Sequence, residues 1–193
     1  MSNFFKIKDL IRMGVTVKGT NVKISKLARI YNPCGLTLHD NIRIDDFTIL
    51  SGRGKIEIGN FIHIGPHSYI TSFTNILLKD YVGLSAGVKL FGSSDDYSGK
   101  YMTNPTVPSK YLGTVSGDIT LNEHCLVGSG SLVLPNVVMG VGSAVGSLSL
   151  ITKNTMPWKL YAGSPAKIIK DRSKKCMELE KKLIKEMELE KTN

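Results

Sequence analysis

The sequence predicts an all-β solenoid: a left-handed parallel β-helix with a long protruding loop and a C-terminal α-helix. Three observations predict it. Apolar residues recur every six positions at Leu121, Val127, Val133, Met139, Val145 and Ile151. A small or β-branched residue follows each by four: Cys125, Ser131, Val137, Ser143, Ser149 and Thr155. The segments LHDNIRID, IGNFIHIG, LKDYVGLS and LNEHCLVG, starting at Leu38, Ile58, Leu78 and Leu121, align without gaps. A fixed period of this kind marks a repeat architecture. In each hexad the aliphatic side chain points inward and the small one fits a corner. Gly or Asn directly after the aliphatic residue tolerates a left-handed backbone. Three hexads close a triangular coil, and coils stack at a strand spacing of about 4.8 Å. A sandwich of short antiparallel strands needs hairpin turns, which the strict spacing lacks.

The elements follow in chain order. Residues 1–20 form an N-terminal cap, a short amphipathic helix with Phe5, Leu10 and Ile11 on its apolar side. Residues 21–166 form one β-helix domain. Its first coils run to residue 90 with starts 20 residues apart, as in Leu38, Ile58 and Leu78. Residues 91–118 break the hexad with Ser, Gly, Tyr, Pro and Asp, and make a long loop of the kind that carries function. Residues 119–156 resume the coils. Residues 167–193 form a C-terminal helical segment. Within it, 171–191 carry Cys176, Leu179, Leu183, Ile184 and Met187 between Glu and Lys, an amphipathic cap for the open end of a solenoid.

Composition bounds the function. The chain has 193 residues, 25 Lys plus Arg, 16 Asp plus Glu and a formal net charge of +9. That charge asks for an anionic partner. A nucleic acid is not expected, because no basic-aromatic patch or groove-reading helix accompanies it. Membrane insertion is not expected either, since no apolar run reaches the ~20 residues a spanning helix needs. The N-terminal MSNFFKIKDLIRMG lacks the clean apolar core of a signal peptide. Cys34, Cys125 and Cys176 are far apart and odd in number, which reads as reduced thiols in a cytoplasmic protein. The GxGxxG-like run from Gly140 to Gly146 is made of hexad glycines and is no nucleotide fingerprint.

The hexads, closed by Pro157-Trp158, Tyr161, Gly163 and Pro165-Ala166-Lys167, resemble the hexapeptide-repeat acyltransferases over residues 20–172. The closing element looks like that of the galactoside and maltose O-acetyltransferase branch. RIDDF from Arg43, HIGPHS from His63 and SSDDYSG from Ser93 look like the subset of bacterial surface-polysaccharide synthesis, O-antigen included. The resemblance implies a homotrimer with active sites between subunits and acetyl-CoA as cosubstrate, with no metal. It implies a sugar or nucleotide-sugar acceptor, such as dTDP-4-amino-4,6-dideoxyglucose acylated on nitrogen. O-acetylation of a sugar is the second reading. It further implies that Ser129 and Ser147 line the pantetheine path, and that Thr152, Lys153, Lys167 and Lys170 meet the CoA phosphates. Lysines suit that role as point-charge phosphate partners. There is one departure: galactoside acetyltransferases carry a catalytic histidine in the loop where this chain reads Ser94-Asp95-Asp96.

Acyl transfer from a thioester needs an acceptor relieved of its proton and a donor for the developing oxyanion. Four histidines are available. His39 is expected at the surface, and His124 either there or facing a neighbouring subunit. His63 stacks over Arg43 and under Gly83, with Asp45 and Asp46 diagonal to it one coil back. A carboxylate that fixes an imidazole tautomer makes a base, so His63 is the candidate base and Asp45 its support. Glycine at 83 leaves room for a substrate. His67, stacked over Phe47, with Asp46 and Tyr97, is a candidate for holding the substrate. Asp95 and Asp96 are candidates for orienting the amine or hydroxyl, or for serving as base. A γ-type carbonic anhydrase would instead gather His63, His67 and His124 around zinc, but residues four apart on a hexad fall on different faces. A non-catalytic solenoid would need neither the loop nor the closing element.

Overall fold

The computed structural model describes residues 3–192. It is a parallel β-solenoid of three sheets with six, eight and six strands. The first sheet holds Leu36–Leu38, Lys55–Ile58, Asn75–Leu78 and Ile119–Leu121. The second holds Ile42–Ile44, Ile62–Ile64, Gly83–Leu84 and Leu126–Val127, and the third Ile49–Gly52, Tyr69–Ser72, Lys89–Phe91 and Leu132–Val133. Each strand pairs in parallel with its equivalent one coil on. Ile44 faces Ile64 across 20 residues, and Val127 faces Val145 across 18.

The period-six residues form the core. Leu38, Ile44, Ile58, Ile64, Val127, Val133 and Met139 are wholly buried. The residues four places on are buried as well, and many are hydroxyls with a purpose. Ser68 Oγ donates to Gly65 O at 2.8 Å, and Ser131 Oγ donates to Gly146 O at 2.9 Å. A turning backbone inside a solenoid exposes carbonyls to a dry interior, and a short hydroxyl satisfies them at the cost of little volume.

The left-handed residue sits three places after the aliphatic one, not directly after it as the sequence suggested. At the corner between the first and second sheets it is Asn41, Phe61, Tyr81 and His124. At the corner between the second and third sheets it is Phe47, His67, Gly87, Gly130 and Leu148. The glycine directly after the aliphatic residue has another cause. A Cβ on Gly128 would lie 2.6 Å from the amide nitrogen of Ser147, so close stacking of coils excludes a side chain there.

The ends differ from expectation. Helix α1 (Ile7–Met13) caps the first coil through Leu10, which is wholly buried, while Ile11 faces solvent. The solenoid begins earlier, since Thr16–Val17 already pairs with the strand Leu36–Leu38. Past the hexads, and still within the expected 21–166 span, Lys159–Gly163 adds a further rung on Ala144–Val145. Residues 167–171, placed by the sequence in the C-terminal helical segment, belong instead to a strand (Ala166–Asp171) antiparallel to Lys159–Gly163. Gly163 at φ 102° and a cis Ser164–Pro165 peptide make the turn between them. Helix α2 spans Lys175–Thr192. Arg172 Nη1 donates to His124 O and Gly142 O at 2.8 and 2.9 Å and anchors the segment that leads into it. The loop 91–118 is partly ordered by an antiparallel pair, Ser93–Ser94 with Val115–Ser116. Among the described residues no helix is long and apolar enough to cross a membrane.

Candidate active site

On the outer face of the second sheet, Arg43, His63 and Gly83 lie in direct register on successive rungs. Strand geometry sends alternate residues to opposite faces, so these three point out while Ile44, Ile64 and Leu84 point in. Asp45 comes two residues after Arg43, directly past the end of its strand Ile42–Ile44. Its Oδ2 accepts from His63 Nε2 at 2.7 Å, and its Oδ1 accepts from Arg43 Nε at 2.7 Å. Burial pushes the Asp45 carboxyl up, but the hydrogen bonds and charges of His63 and Arg43 outweigh it and leave it below the ordinary aspartate value. The Asp45 side chain is 15% exposed and that of His63 is 55% exposed. A carboxylate on Nε2 assigns the proton to that nitrogen and leaves Nδ1 as the acceptor.

The sequence points to His63 and Asp45. It does not show that Arg43 binds the same carboxylate, although the signal is present as charges two apart in the chain. Asp46 does not join the pair: it is exposed, and its backbone carbonyl accepts from His67 N at 3.1 Å. The His67 ring stacks on Phe47 with centroids 5.1 Å apart. The space one rung further on is open, because a Cβ on Gly87 would meet nothing nearer than Gly130 at 3.8 Å.

The loop residues leave the solenoid from the far end of a third-sheet strand, and no hydrogen bond or ion pair joins them to His63 among the described residues. Their two carboxylates differ. Asp96 accepts from Ser98 N and Oγ, Lys100 N and Tyr101 N, and holds the loop turn together. The Ser98 hydroxyl, ahead of those amides, keeps its carboxyl below the ordinary value. Asp95 is exposed, and its carboxylate meets Thr114 Oγ1 at a long 3.5 Å. Tyr97 is 93% exposed.

The residues expected at the cofactor divide into groups. Thr152, Lys153 and Lys167 line one cleft of about 310 Å³ with Tyr161 and Pro165. Ser129 and Ser147 are exposed at the corner between the second and third sheets, outside that cleft, and precede Gly130 and Leu148. Lys170 is exposed on the final strand, opposite Leu160.

His39 and His124 make contacts away from His63. His39 Nε2 lies 3.0 Å from Glu57 Oε1. His124 stacks on Tyr81 at 4.9 Å, meets Trp158 at 6.2 Å, and pairs with Glu180 of α2 at 2.8 Å. It therefore docks its own C-terminal helix, where the sequence offered the surface or a neighbouring subunit. His63, His67 and His124 sit on one sheet face and two different corners, and among the described residues no three His, Cys, Asp or Glu side chains gather as a metal site.

Known proteins are similar to this chain in sequence and fold. No family model matches the chain. It is 41% identical over 173 residues to a dTDP-4-amino-4,6-dideoxy-D-glucose acyltransferase of Escherichia coli, covering 89% of this chain and 90% of the relative. It is also similar to the N-acyltransferase AntD of Bacillus cereus, solved with dTDP and 3-hydroxybutyryl-CoA: 35% identity, 97% of this chain, 100% of that one and a TM-score of 0.92. A serine variant of AntD was solved with dTDP-4-amino-4,6-dideoxyglucose and coenzyme A, at 35% identity and a TM-score of 0.91 over 96% of this chain. With the hexad core, the closing hairpin and these full-length matches together, the chain belongs to the hexapeptide-repeat acyltransferases.

Proposed function

We propose that this enzyme transfers an acetyl group from acetyl-CoA to the amine of a nucleotide-linked amino sugar, dTDP-4-amino-4,6-dideoxyglucose or a near relative. The near full-length match to an acyltransferase named for that sugar carries the reading. The enzyme works as a cytoplasmic homotrimer with its sites between subunits, and its product enters surface polysaccharide of the O-antigen kind.

In the proposed reaction the neutral amine attacks the thioester carbonyl. The carbonyl π electrons move to oxygen and then return as the carbon–sulfur bond breaks. The nitrogen loses one proton, the CoA thiolate gains one, and an amide remains. His63, held by Asp45, takes the proton at Nδ1. Asp95 orients the amine from a neighbouring subunit's loop, while Asp96 braces that loop. His67 and Tyr97 hold the sugar, with Asp46 at its edge. Ser129 and Ser147 guide the pantetheine arm, and Thr152, Lys153, Lys167 and Lys170 take the CoA phosphates. An amine is a better nucleophile than a hydroxyl and asks less of a base, which agrees with the loop lacking a histidine.

The test is thiol release from acetyl-CoA with a panel of acceptors, together with light scattering. Turnover with the dTDP-linked 4-amino sugar and none with galactosides supports the reading. Turnover with galactosides alone moves the chain to O-acetylation, and no turnover with any acceptor overturns the proposal. A monomer in solution removes the shared site.

A further inference from the structure

Seven of the 25 Lys and Arg residues, but one of the 16 Asp and Glu residues, lie in the first 30 positions. The fold brings part of this excess onto the face that carries His63. Lys23 is in direct register with Arg43, and Arg43 with His63, on the outer face of the second sheet. Lys23 is thus two rungs, about 10 Å, below the histidine. Around the adjoining corner, Arg29 opens the third-sheet column that continues through Ile49 and Tyr69. Lys23 and Arg29 are exposed and lie within ion-pair distance of no carboxylate among the described residues. Between the two columns the corner presents Leu27 and Phe47, 54% and 52% exposed.

The basic cleft of Thr152, Lys153 and Lys167 is at the opposite end of the solenoid, beyond the last third-sheet strand. Two cationic patches therefore flank one histidine from opposite ends. CoA phosphates occupy one end under the reading proposed above, which leaves the N-terminal patch for a different anion on the acceptor side. A pyranose whose amine and anomeric phosphate sit at opposite ends of the ring covers about the two rungs from His63 to Lys23. The exposed Leu27 and Phe47 offer apolar surface for the remainder of such a ligand.

We propose that Lys23 and Arg29, on the first coil, bind the diphosphate of the nucleoside diphosphate sugar and fix its amine one to two rungs above. This rests on the nucleotide-sugar reading. Exposed cations on a diphosphate add charge-assisted hydrogen bonds that are lost singly on substitution.

The experiment uses the full chain with Lys23→Met, Arg29→Met and both together. The expected result is a KM for the nucleotide sugar raised about fivefold to tenfold per site, with kcat and the KM for acetyl-CoA unchanged. Calorimetric titration of dTDP, which needs no turnover, is expected to weaken by the same factors and to become less salt-dependent. Lys167→Met, at the far patch, is expected to raise the KM for acetyl-CoA alone. Wild-type turnover of the nucleotide sugar with unchanged KM and dTDP affinity in the double variant overturns this inference and leaves the proposed function standing. A rise in the acetyl-CoA KM in the Lys23 or Arg29 variants also overturns it, by assigning the patch to CoA. Absence of both turnover and dTDP binding in the wild type overturns the function as well.

Discussion

Asp45→Asn separates a positioned histidine from a solitary one. The substitution keeps side-chain size and removes the charge that His63 and Arg43 share at 2.7 Å each. A hydrogen bond to a charged group contributes about 1.5–3 kcal/mol. The His63 side chain is 55% exposed, so water replaces part of what is lost. The lower part of the range, about 1.5–2 kcal/mol, then applies, which is about 10- to 30-fold in kcat/KM. His63→Ala removes the proposed base and is expected to cost about 100-fold or more. If Asp45 acts through His63, as proposed, the double variant is expected to be no worse than His63→Ala alone. The assay is initial-rate thiol release under varied amino sugar and varied acetyl-CoA, with circular dichroism to confirm folding. A double variant that shows the product of the two single losses would refute the positioning role. Unchanged kcat in His63→Ala would refute the base and hand proton removal to Asp95 or to the departing thiolate.

Ile64 is wholly buried directly after His63, so Ile64→Ala is expected to cost about 2–5 kcal/mol in denaturant unfolding. Arg172→Ala frees two backbone carbonyls and the lead into α2, and limited proteolysis is expected to cut within 173–192 at least about tenfold faster. Asp45 has a folded-state pKa below its ordinary 3.8, so its stabilisation is complete above that value and fades as pH falls through the lowered one. Melting temperature between neutral pH and pH 3 is therefore expected to fall more steeply in wild type than in Asp45→Asn.

The coil architecture was legible because inward-pointing residues carry most of the constraint. Leu121 through Ile151 keep their period since each must reach a dry interior, and all are buried in the fold. His63 and Asp45 were legible for a related reason: an 18-residue separation on 20-residue coils makes them diagonal neighbours. Arg43 was seen only as a stacking neighbour, because side-chain aim on an outer face depends on rotamers that no period fixes. The choice between Asp95 and Asp96 was also closed to the sequence, since loop hydrogen bonds follow from a path without a repeat.

Strand and helix at 167–171 separated on tertiary grounds. Ala166-Lys-Ile-Ile-Lys-Asp171 has no strong local preference, and an open sheet edge beside Lys159–Gly163 captures it as a strand. The left-handed corner shows the same division. Asn41 and His124 are of types enriched at positive φ and Phe61 and Tyr81 are not, yet coil closure imposes it on all four. Stacking between Phe61, Tyr81 and His124 accompanies that strain. The sequence alone therefore determined the solenoid, its core and the pairing of His63 with an aspartate, because burial and period are local rules repeated along the chain. The tertiary structure alone decided which residues bend the corners, which carboxylate the loop spends on itself, and where the surplus cations gather, because these depend on what one coil lays against the next.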